Sequence, residues 1–303
     1  MPMTADLSPC GLCGHVSFAP VWSRGYPDAE VPTVICKICG LVQTNPRPTK
    51  EELIEFYREM YRPQYSGACV PSPGQRAQTR NQYLSRYEDI TPYLKPGDAV
   101  LDIGCATGEF LRILKQHHLI PTGVEASANC CAEAAKFCED VHAGLIEDQD
   151  FEEGRFDAVC LFHVLEHLES PVAQVCRIAR WLRNDGVLYV EVPDLHQPYL
   201  GNLSRFFQTA HLYSFTAATL EAVLRKTGFK RVWFRRGVEG KFLRFIARKD
   251  SAVNRETPLP VDDWESIVWK IRAWRRKWWL WHKWAGMARY YSGAVKRRLC
   301  GNE

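Results

Sequence analysis

The sequence lacks any apolar run of the roughly 18–20 residues that a membrane-spanning helix needs, which excludes a transmembrane segment. Its first residues lack both a basic cluster and an apolar stretch, so we expect no signal peptide and a cytoplasmic protein. It also lacks the bias of a disordered chain, since 46% of its residues are apolar and 24% are charged. A chain of 303 residues with this composition predicts about two globular domains.

Acidic residues are absent from residues 266–298, which hold ten Lys or Arg, whereas the rest of the chain has 29 basic against 35 acidic residues. Seven of the ten tryptophans lie within 264–284. Helical spacing brings apolar side chains to one side of this tail: Trp264, Ile267, Val268, Ile271, Trp274, Trp278, Trp281 and Ala285. A basic helix with a tryptophan-rich face is typical of peripheral contact with an anionic membrane. Packing or self-association through 263–303 is the alternative, and we do not expect nucleic acid as the partner.

The pattern along the chain predicts a modular organisation. Short apolar runs alternate with helical stretches between about 77 and 248, which predicts a parallel sheet with crossover helices. The predicted strands are Ala99–Ile103, Thr122–Glu125, Ala158–Phe162 and Val187–Val192, followed by an edge hairpin of Phe229–Phe234 and Lys241–Ala247. The predicted helices span 108–118, 127–138 and 171–183, with a turn at 184–186. The predicted segments are a zinc-binding module with a following helix capped at Thr49 and Glu52 (1–61), a linker (62–76), the α/β domain (77–248), a linker (249–262) and the helical tail (263–303).

Four of the twelve cysteines form two similar turns, Cys10-x2-Cys13-Gly and Cys36-x2-Cys39-Gly, separated by 22 residues. Each Cys-x2-Cys turn offers two thiolates from one tight loop, and two such turns complete a tetrahedral zinc site. Disulfides or free thiols are the alternative, which a cytoplasmic setting disfavours. We expect a structural zinc ion, because all four ligand positions are filled by the chain.

A glycine-rich turn follows the first predicted strand of the α/β domain. Asp102 ends the strand, Gly104 and Gly108 shape the turn, and Glu125 ends the next strand. Such a turn alone accommodates NAD, FAD or S-adenosylmethionine. Asp102 favours S-adenosylmethionine, because a carboxylate repels a pyrophosphate but can meet an ammonium group, while Glu125 is placed to bind ribose hydroxyls.

The ordered motifs resemble those of class I S-adenosylmethionine-dependent methyltransferases. They are Asp102-x-Gly104-x3-Gly108, Glu125, the segment from Phe156 through His163 to Glu166 and His167, Gly186 to Pro193, and His211 to Thr216. The resemblance implies an α/β, Rossmann-like sheet with helices on both faces. It also implies that His163 lines the cofactor pocket. Many members have a glycine where this chain has Ala106, whose small side chain is expected to leave cofactor binding intact. Many also have an Asp after the glycine where this chain has Gly144-Leu145, so backbone groups near Leu145 and Ile146 are expected to recognise adenine, with Glu147 as the alternative.

The N-terminal segment extends the similarity. Its two cysteine turns, followed by Leu-Val-Gln-Thr-Asn-Pro-Arg-Pro, resemble the zinc-binding module of sugar C-methyltransferases and related glycan and natural-product methyltransferases. Those sugar enzymes usually carry a further C-terminal α/β domain that this chain does not show. The resemblance implies methyl transfer to a glycan, nucleotide-sugar or related small-molecule acceptor. An RNA base methyltransferase with a zinc module and a non-catalytic cofactor-binding scaffold are the alternatives.

The candidate catalytic residues are His211, His167 and Glu166. Histidine is the usual proton acceptor near neutral pH. In the sugar enzymes, the position of His211 resembles the histidine of a Tyr-x-Glu-His segment, whereas here the segment is Gln208-Thr-Ala-His211. A helix-capping role for His211 is the alternative. Glu166 and His167 follow the strand Ala158–Phe162 at the sheet edge where ligands bind in this fold, and a role in orienting that loop is their alternative.

Overall fold

A computed structural model describes residues 7–25, 30–49, 52, 73–198, 203–237, 240–250, 252–253 and 261–277. The predicted helix after Thr49, the predicted linker 62–76 and the end of the tail lie largely outside these residues. The start of that helix is described: the Thr49 backbone N–H donates to Glu52 over 2.7 Å, and the Glu52 N–H donates to the Thr49 hydroxyl over 3.2 Å. This reciprocal pair is the predicted capping box.

Eleven strands and seven helices are present in the described residues. The strands are β1 (Phe18–Arg24), β2 (Glu30–Cys36), β3 (Val42–Thr44), β4 (Ala99–Ile103), β5 (Ile120–Glu125), β6 (Val141–Ala143), β7 (Phe156–Phe162), β8 (Leu182–Pro193), β9 (Tyr213–Ser214), β10 (Phe229–Arg236) and β11 (Phe242–Lys249). The helices are α1 (Pro73–Ile90), α2 (Glu109–Gln116), α3 (Ala128–Ala134), α4 (Pro171–Trp181), α5 (Leu203–Phe206), α6 (Ala217–Lys226) and α7 (264–277). Short 3-10 turns lie at Thr91–Tyr93, Ile146–Asp148 and Leu165–His167.

The larger sheet has seven strands in the order β10-β11-β8-β7-β4-β5-β6. Adjacent strands from β8 to β6 pair in parallel. The β10–β11 hairpin is antiparallel, and β11 pairs with β8 in antiparallel register. The predicted Rossmann-like sheet and its edge hairpin are therefore confirmed. Parallel neighbours require crossover connections, which the helices between the strands supply.

Alternating side chains of the central strands enter two different apolar clusters. Leu101, Val159 and Leu188 pack with residues of α4 and α6, whereas Val100 and Ala158 pack with residues of α1 and α2. Because successive side chains on a strand point to opposite faces, these clusters lie on opposite sides of the sheet. Burial on both faces explains why the strands read as continuous apolar runs rather than as alternating patterns.

The prediction of a turn at 184–186 was wrong, because these residues lie within β8. The pairing moves from Phe156↔Leu182 to Ala158↔Val187, so β8 contains a bulge there. Asp185 accordingly adopts a φ of 63°. The predicted helix 171–183 ends at Trp181, since Leu182 already pairs with β7.

The N-terminal strands form a second sheet that includes a strand from the α/β domain. Its order is β1-β2-β3-β9, and β9 pairs with β3 through Val42↔Ser214 and Gln43↔Tyr213. The Lys226 ammonium of α6 also donates to the Leu12 carbonyl over 2.6 Å. The cysteine turns are thus anchored to the larger domain, immediately beside the segment that carries His211.

The first part of the tail is a helix whose apolar side is covered by the protein itself. Ile267, Val268 and Ile271 are buried in one cluster with Ile35 and Val42 of the second sheet. For 264–277 the structure therefore shows packing, which was the alternative to membrane contact. Membrane contact or self-association through the rest of 263–303 stays a prediction, because residues 278–303 lie outside the described part. Among the described residues, no helix combines the length and the apolar character needed to cross a bilayer.

Candidate functional site

The turn between β4 and α2 requires glycine at both predicted positions. Gly104 has a φ of 75° and Gly108 a φ of 78°, a backbone region that side chains disfavour. A Cβ atom at residue 104 would lie 2.6 Å from a Val164 methyl, and one at residue 108 would lie 2.8 Å from the Ala134 Cα. The turn is therefore held close to its neighbours, and only glycine fits at either position.

Glu125 lies directly against this turn. Its Oε2 accepts a hydrogen bond from the Ala106 backbone N–H over 2.8 Å, and its Oε1 accepts one from the Ser127 N–H over 2.9 Å. Two segments that the sequence marks separately, the turn and the end of β5, are joined by one carboxylate. Each carboxylate oxygen can accept a second hydrogen bond, so Glu125 has capacity left for ribose hydroxyls.

Asp102 is nearly inaccessible, with 1% of its surface exposed. Burial raises the pKa of its carboxyl to about 8, Arg86 opposes that rise, and Glu125 adds to it. A buried carboxyl of this kind is stabilised in its charged form by a cation, since an opposite charge favours ionisation. The ammonium group of an amino acid is a suitable partner.

The loop predicted to recognise adenine lies beside Glu125. The Gly144 N–H donates to the Glu125 carbonyl over 3.0 Å, which brings Leu145 and Ile146 to the same sheet edge. Ile146 is buried, and the Leu145 N–H donates to the Asp148 carboxylate over 3.2 Å. The adenine-binding role of these residues stays a prediction.

His163 follows β7 with a left-handed backbone φ of 59°. Its Nε2 lies 3.0 Å from Glu191 and its Nδ1 lies 3.5 Å from Glu166. Burial lowers the pKa of this imidazole, but its attraction to Glu166 and Glu191 outweighs burial and raises its pKa to about 9. His163 is therefore an imidazolium at neutral pH, held between two carboxylates.

The three candidate catalytic residues come together. One ligating atom from each of Glu166, His167 and His211 lies within 4.8 Å of the other two. The two imidazole rings are 4.9 Å apart between centroids, and their planes are inclined at 71°. The fold therefore brings His211, which precedes β9, next to a turn that follows β7.

His211 is buried and both of its ring nitrogens have neighbours. Its Nδ1 lies 3.0 Å from the Phe206 carbonyl, and its Nε2 lies 2.7 Å from the Gln208 amide nitrogen. Nδ1 thus carries the proton, and Nε2 accepts one from Gln208. Burial, followed by repulsion from His167, lowers the pKa of His211 to about 3. The imidazole is therefore neutral, and its basic atom is Nε2.

A buried arginine network behind the site was missed by the sequence analysis. We define it as Arg86, Asp89, Glu191 and Arg244. Glu191 accepts hydrogen bonds from Arg86 and Arg244, and Arg244 also donates to Asp89 over 2.8 Å. Two charged residues within apolar runs could have indicated it in the sequence: Glu191 within Val187–Val192 and Arg244 within Phe242–Ala247.

The four cysteines of the N-terminal turns also meet. Their sulfur atoms all lie within 4.8 Å of one another, with 3.5 Å between Cys10 and Cys39 and between Cys13 and Cys36. The N–H groups of Gly14 and Gly40 donate over 2.9 Å to the carbonyls of Cys10 and Cys36, which closes two equivalent turns. Four thiols at these separations fit the tetrahedral, four-cysteine arrangement of a structural zinc site.

Comparisons with known proteins relate the chain to methyltransferases. The ubiquinone biosynthesis O-methyltransferase of Glaesserella parasuis is 28% identical over 105 residues, which cover 31% of this chain and 44% of that enzyme. The chain thus matches less than half the length of this relative. The crystal structure of the cyclase SpnF superposes with a TM-score of 0.50 at 16% identity, over 67% of this chain and 97% of that one, and this likeness shows the fold alone.

A second solved structure is the 1,6-didemethyltoxoflavin-N1-methyltransferase of Burkholderia thailandensis, with bound 1,6-didemethyltoxoflavin and S-adenosylhomocysteine. It has a TM-score of 0.45 and 22% identity, over 61% of this chain and 93% of that one. The family model described as a methyltransferase domain matches residues 75–232, just over half of the chain, and this match includes the glycine turn and the Glu166–His167–His211 cluster. The chain therefore belongs to the methyltransferase-domain family of S-adenosylmethionine-dependent enzymes.

Proposed function

We propose that this protein transfers a methyl group from S-adenosylmethionine to a small-molecule acceptor of the glycan or nucleotide-sugar class or a related one. The observation that carries the proposal is the contact of Glu125 with Ala106 at 2.8 Å, which fixes a carboxylate against the glycine turn. An acidic residue in that position suits ribose hydroxyls. The acceptor class rests on the cysteine module, whose sequence resembles that of sugar methyltransferases.

In this proposal, residues at the carboxyl edge of β4 and β5 would hold the cofactor. Asp102 would pair with its ammonium group, the Gly104–Gly108 turn would hold its amino-acid tail, and Glu125 would bind its ribose hydroxyls. Leu145 and Ile146 border the adenine, and His163 lines the pocket from β7. When bound, S-adenosylmethionine supplies a methyl group activated by a positively charged sulfur.

The chain's own contribution to the reaction is to hold the acceptor and to remove its proton. We assign these two tasks to the Glu166–His167–His211 cluster, in which the neutral Nε2 of His211 is the proton acceptor. His167 donates through Nδ1 to the Ala210 carbonyl over 2.8 Å, which orients its ring toward the cluster. General-base assistance of this kind contributes about 10²–10⁴-fold to rate.

The proposal is tested with the purified full chain and S-adenosylmethionine carrying a labelled methyl group. We expect label to enter one member of a panel of nucleotide sugars and glycan intermediates, with an equal amount of S-adenosylhomocysteine formed. Label entering RNA would support the RNA base methyltransferase. Cofactor binding without any consumption over the whole panel would support the scaffold and contradict the proposal.

Replacing Glu125 with alanine is expected to weaken cofactor binding by about 1.5–3 kcal/mol, because the ribose loses charge-assisted hydrogen bonds. Isothermal titration calorimetry with S-adenosylmethionine measures this loss. Glu125→Gln keeps an oxygen that can accept the Ala106 N–H, but its amide nitrogen cannot accept the Ser127 N–H, so it tests the charge together with one of the two backbone contacts. Glu133→Ala on α3 is the control and should bind normally. Equal affinity in the wild type and both Glu125 variants would refute the assignment.

We also propose that Cys10, Cys13, Cys36 and Cys39 hold a structural zinc ion. Freshly purified, reduced protein is expected to contain about one zinc per chain, since four thiolates complete a tetrahedral site. Cys39→Ser should lose the metal and lower the thermal unfolding midpoint, because metal binding and folding are coupled. Cys176→Ser, at an exposed cysteine, is the control. Metal analysis that finds no zinc in the wild type would contradict this prediction.

A further inference from the structure

The Glu166–His167–His211 cluster has features that a proton-transfer role alone does not explain. Its members come from two segments, the 3-10 turn Leu165–His167 after β7 and the residues just before β9. Glu166 Oε1 lies 3.9 Å from His167 Nε2, and the ligating atoms of all three residues are within 4.8 Å of one another. Side chains at these separations could hold a single ion.

Both histidines are oriented as metal ligands commonly are. The Nδ1 atom of His167 is 2.8 Å from the Ala210 carbonyl, and the Nδ1 atom of His211 is 3.0 Å from the Phe206 carbonyl. A ligating histidine almost always donates its second N–H to a carbonyl or carboxylate, which fixes the tautomer and aims the other nitrogen at the metal. In both residues Nε2 is then the atom that can coordinate an ion.

The Glu166 carboxylate is the independent observation. It is 1% exposed, and within the described residues neither of its oxygens has a hydrogen-bond partner. His163 is its ion-pair partner, with Nδ1 at 3.5 Å, and is shared with Glu191 at 3.0 Å. These longer ion-pair contacts leave both buried carboxylate oxygens without a hydrogen bond, an arrangement that is uncommon in folded proteins and points to a further ligand. A cation among Glu166, His167 and His211 would bind this carboxylate directly.

We propose that Glu166, His167 and His211 bind a divalent metal ion, in a site separate from the four cysteines. Two imidazoles and one carboxylate suit Mn²⁺, Fe²⁺, Co²⁺ or Zn²⁺ rather than Ca²⁺. The ion would replace the 2.7 Å hydrogen bond between Gln208 and His211 Nε2. Three ligands from the chain leave coordination positions open.

The coordination positions that the three residues leave open indicate which class of ligand the ion can bind. A hydroxyl or other oxygen of the acceptor can bind the ion there. Because His211 Nε2 would then hold the ion, the hydroxyl would be activated by the lower pKa that coordination gives it, in place of proton transfer to His211. This part rests on the proposed function, and it narrows the acceptor to a molecule that offers an oxygen to the metal. The binding of the ion itself does not depend on the reaction.

The experiment counts metal ions in the full-length, reduced protein. In one arm the protein is saturated with Zn²⁺, and in the other, zinc-loaded protein is saturated with Mn²⁺, before unbound metal is removed. We expect about two zinc ions per chain in the first arm, or about one manganese beside one zinc in the second. Glu166→Gln and His211→Ala are expected to lose the additional ion and keep the first. His117→Ala, at an exposed histidine, is the control and should match the wild type.

The outcomes separate this inference from the proposed function. Glu166→Gln preserves the shape of the side chain, and circular dichroism together with cofactor binding establishes that each variant is folded. Equal metal counts in the wild type and Glu166→Gln in both arms would overturn the metal site, even if methyl transfer proceeds. Loss of the extra ion in a variant, with no cofactor binding by the wild type, would support the metal site and overturn the proposed function.

Discussion

Replacing His211 with alanine is expected to lower kcat by about 10²–10⁴-fold and to leave the affinity for S-adenosylmethionine nearly unchanged. His211 belongs to the cluster with Glu166 and His167, whereas Asp102, the Gly104–Gly108 turn and Glu125, which are assigned to the cofactor, belong to β4, the turn after it and the end of β5. The loss therefore falls on the chemical step. It is measured as the rate of S-adenosylhomocysteine formation with an acceptor found in the labelled-methyl screen, alongside calorimetry of cofactor binding.

His117→Ala is the matched control, because it removes an exposed imidazole from the end of α2 and should turn over normally. Normal turnover by His211→Ala would contradict the assignment of His211 as the base. Glu166 or His167 would then be the candidate proton acceptor. A variant that loses cofactor affinity as well would indicate a structural role for His211, consistent with its two short contacts to the α5 segment. Rate alone does not separate a base from a metal ligand, whereas the metal count does.

Replacing Glu191 with glutamine is expected to lower the free energy of unfolding by about 3–5 kcal/mol, the range for breaking a buried ion pair. Glu191 is 1% exposed and neutralises the guanidinium groups of Arg86 and Arg244, both of which are also buried. Its attraction to Arg86 and His163 outweighs burial and holds the pKa of its carboxyl well below the usual range. Removing that charge takes away the carboxylate that pairs with the buried Arg86, while Arg244 keeps its pair with Asp89.

Glu133→Gln provides the comparison for Glu191→Gln. Glu133 pairs with Lys136 over 2.5 Å, and 60% of that lysine side chain is exposed. Exposed pairs contribute no more than about 1 kcal/mol, so this variant should be close to the wild type. Both are measured by urea unfolding followed by circular dichroism. A loss in Glu191→Gln no larger than that in Glu133→Gln would show that the arginine network does not stabilise the packing of α1 against β8 and β11.

The sequence predicted the architecture because the relevant signals are local. Apolar runs separated by helical stretches predict strands joined by crossover helices, and these are the strands β4, β5, β7 and β8 of the structure. The hairpin of β10 and β11 was also predicted. The predicted turn at 184–186 was wrong because the fold continues β8 through it with a bulge, and a turn-forming sequence is compatible with both.

The tail shows a limit of prediction from local sequence patterns. Its spacing correctly grouped Ile267, Val268 and Ile271 on one face, but spacing cannot identify what covers that face. In the described part of the helix the cover is Ile35, Val42 and their neighbours, more than two hundred residues earlier in the chain. A membrane would satisfy the same pattern, because both choices remove the same apolar surface from water.

By itself the sequence determined the cysteine turns, the glycine positions at 104 and 108 and the order of the sheet motifs, since each depends on the conformation of a few consecutive residues. Only the tertiary structure decided which distant side chains meet. It joins Glu166 and His167 to His211, and Arg86 to a glutamate 105 residues later. It also sets their protonation, because burial raises the pKa of Asp102 and lowers that of His211. Packing fixes these contacts and their burial, and no local pattern of residues encodes them.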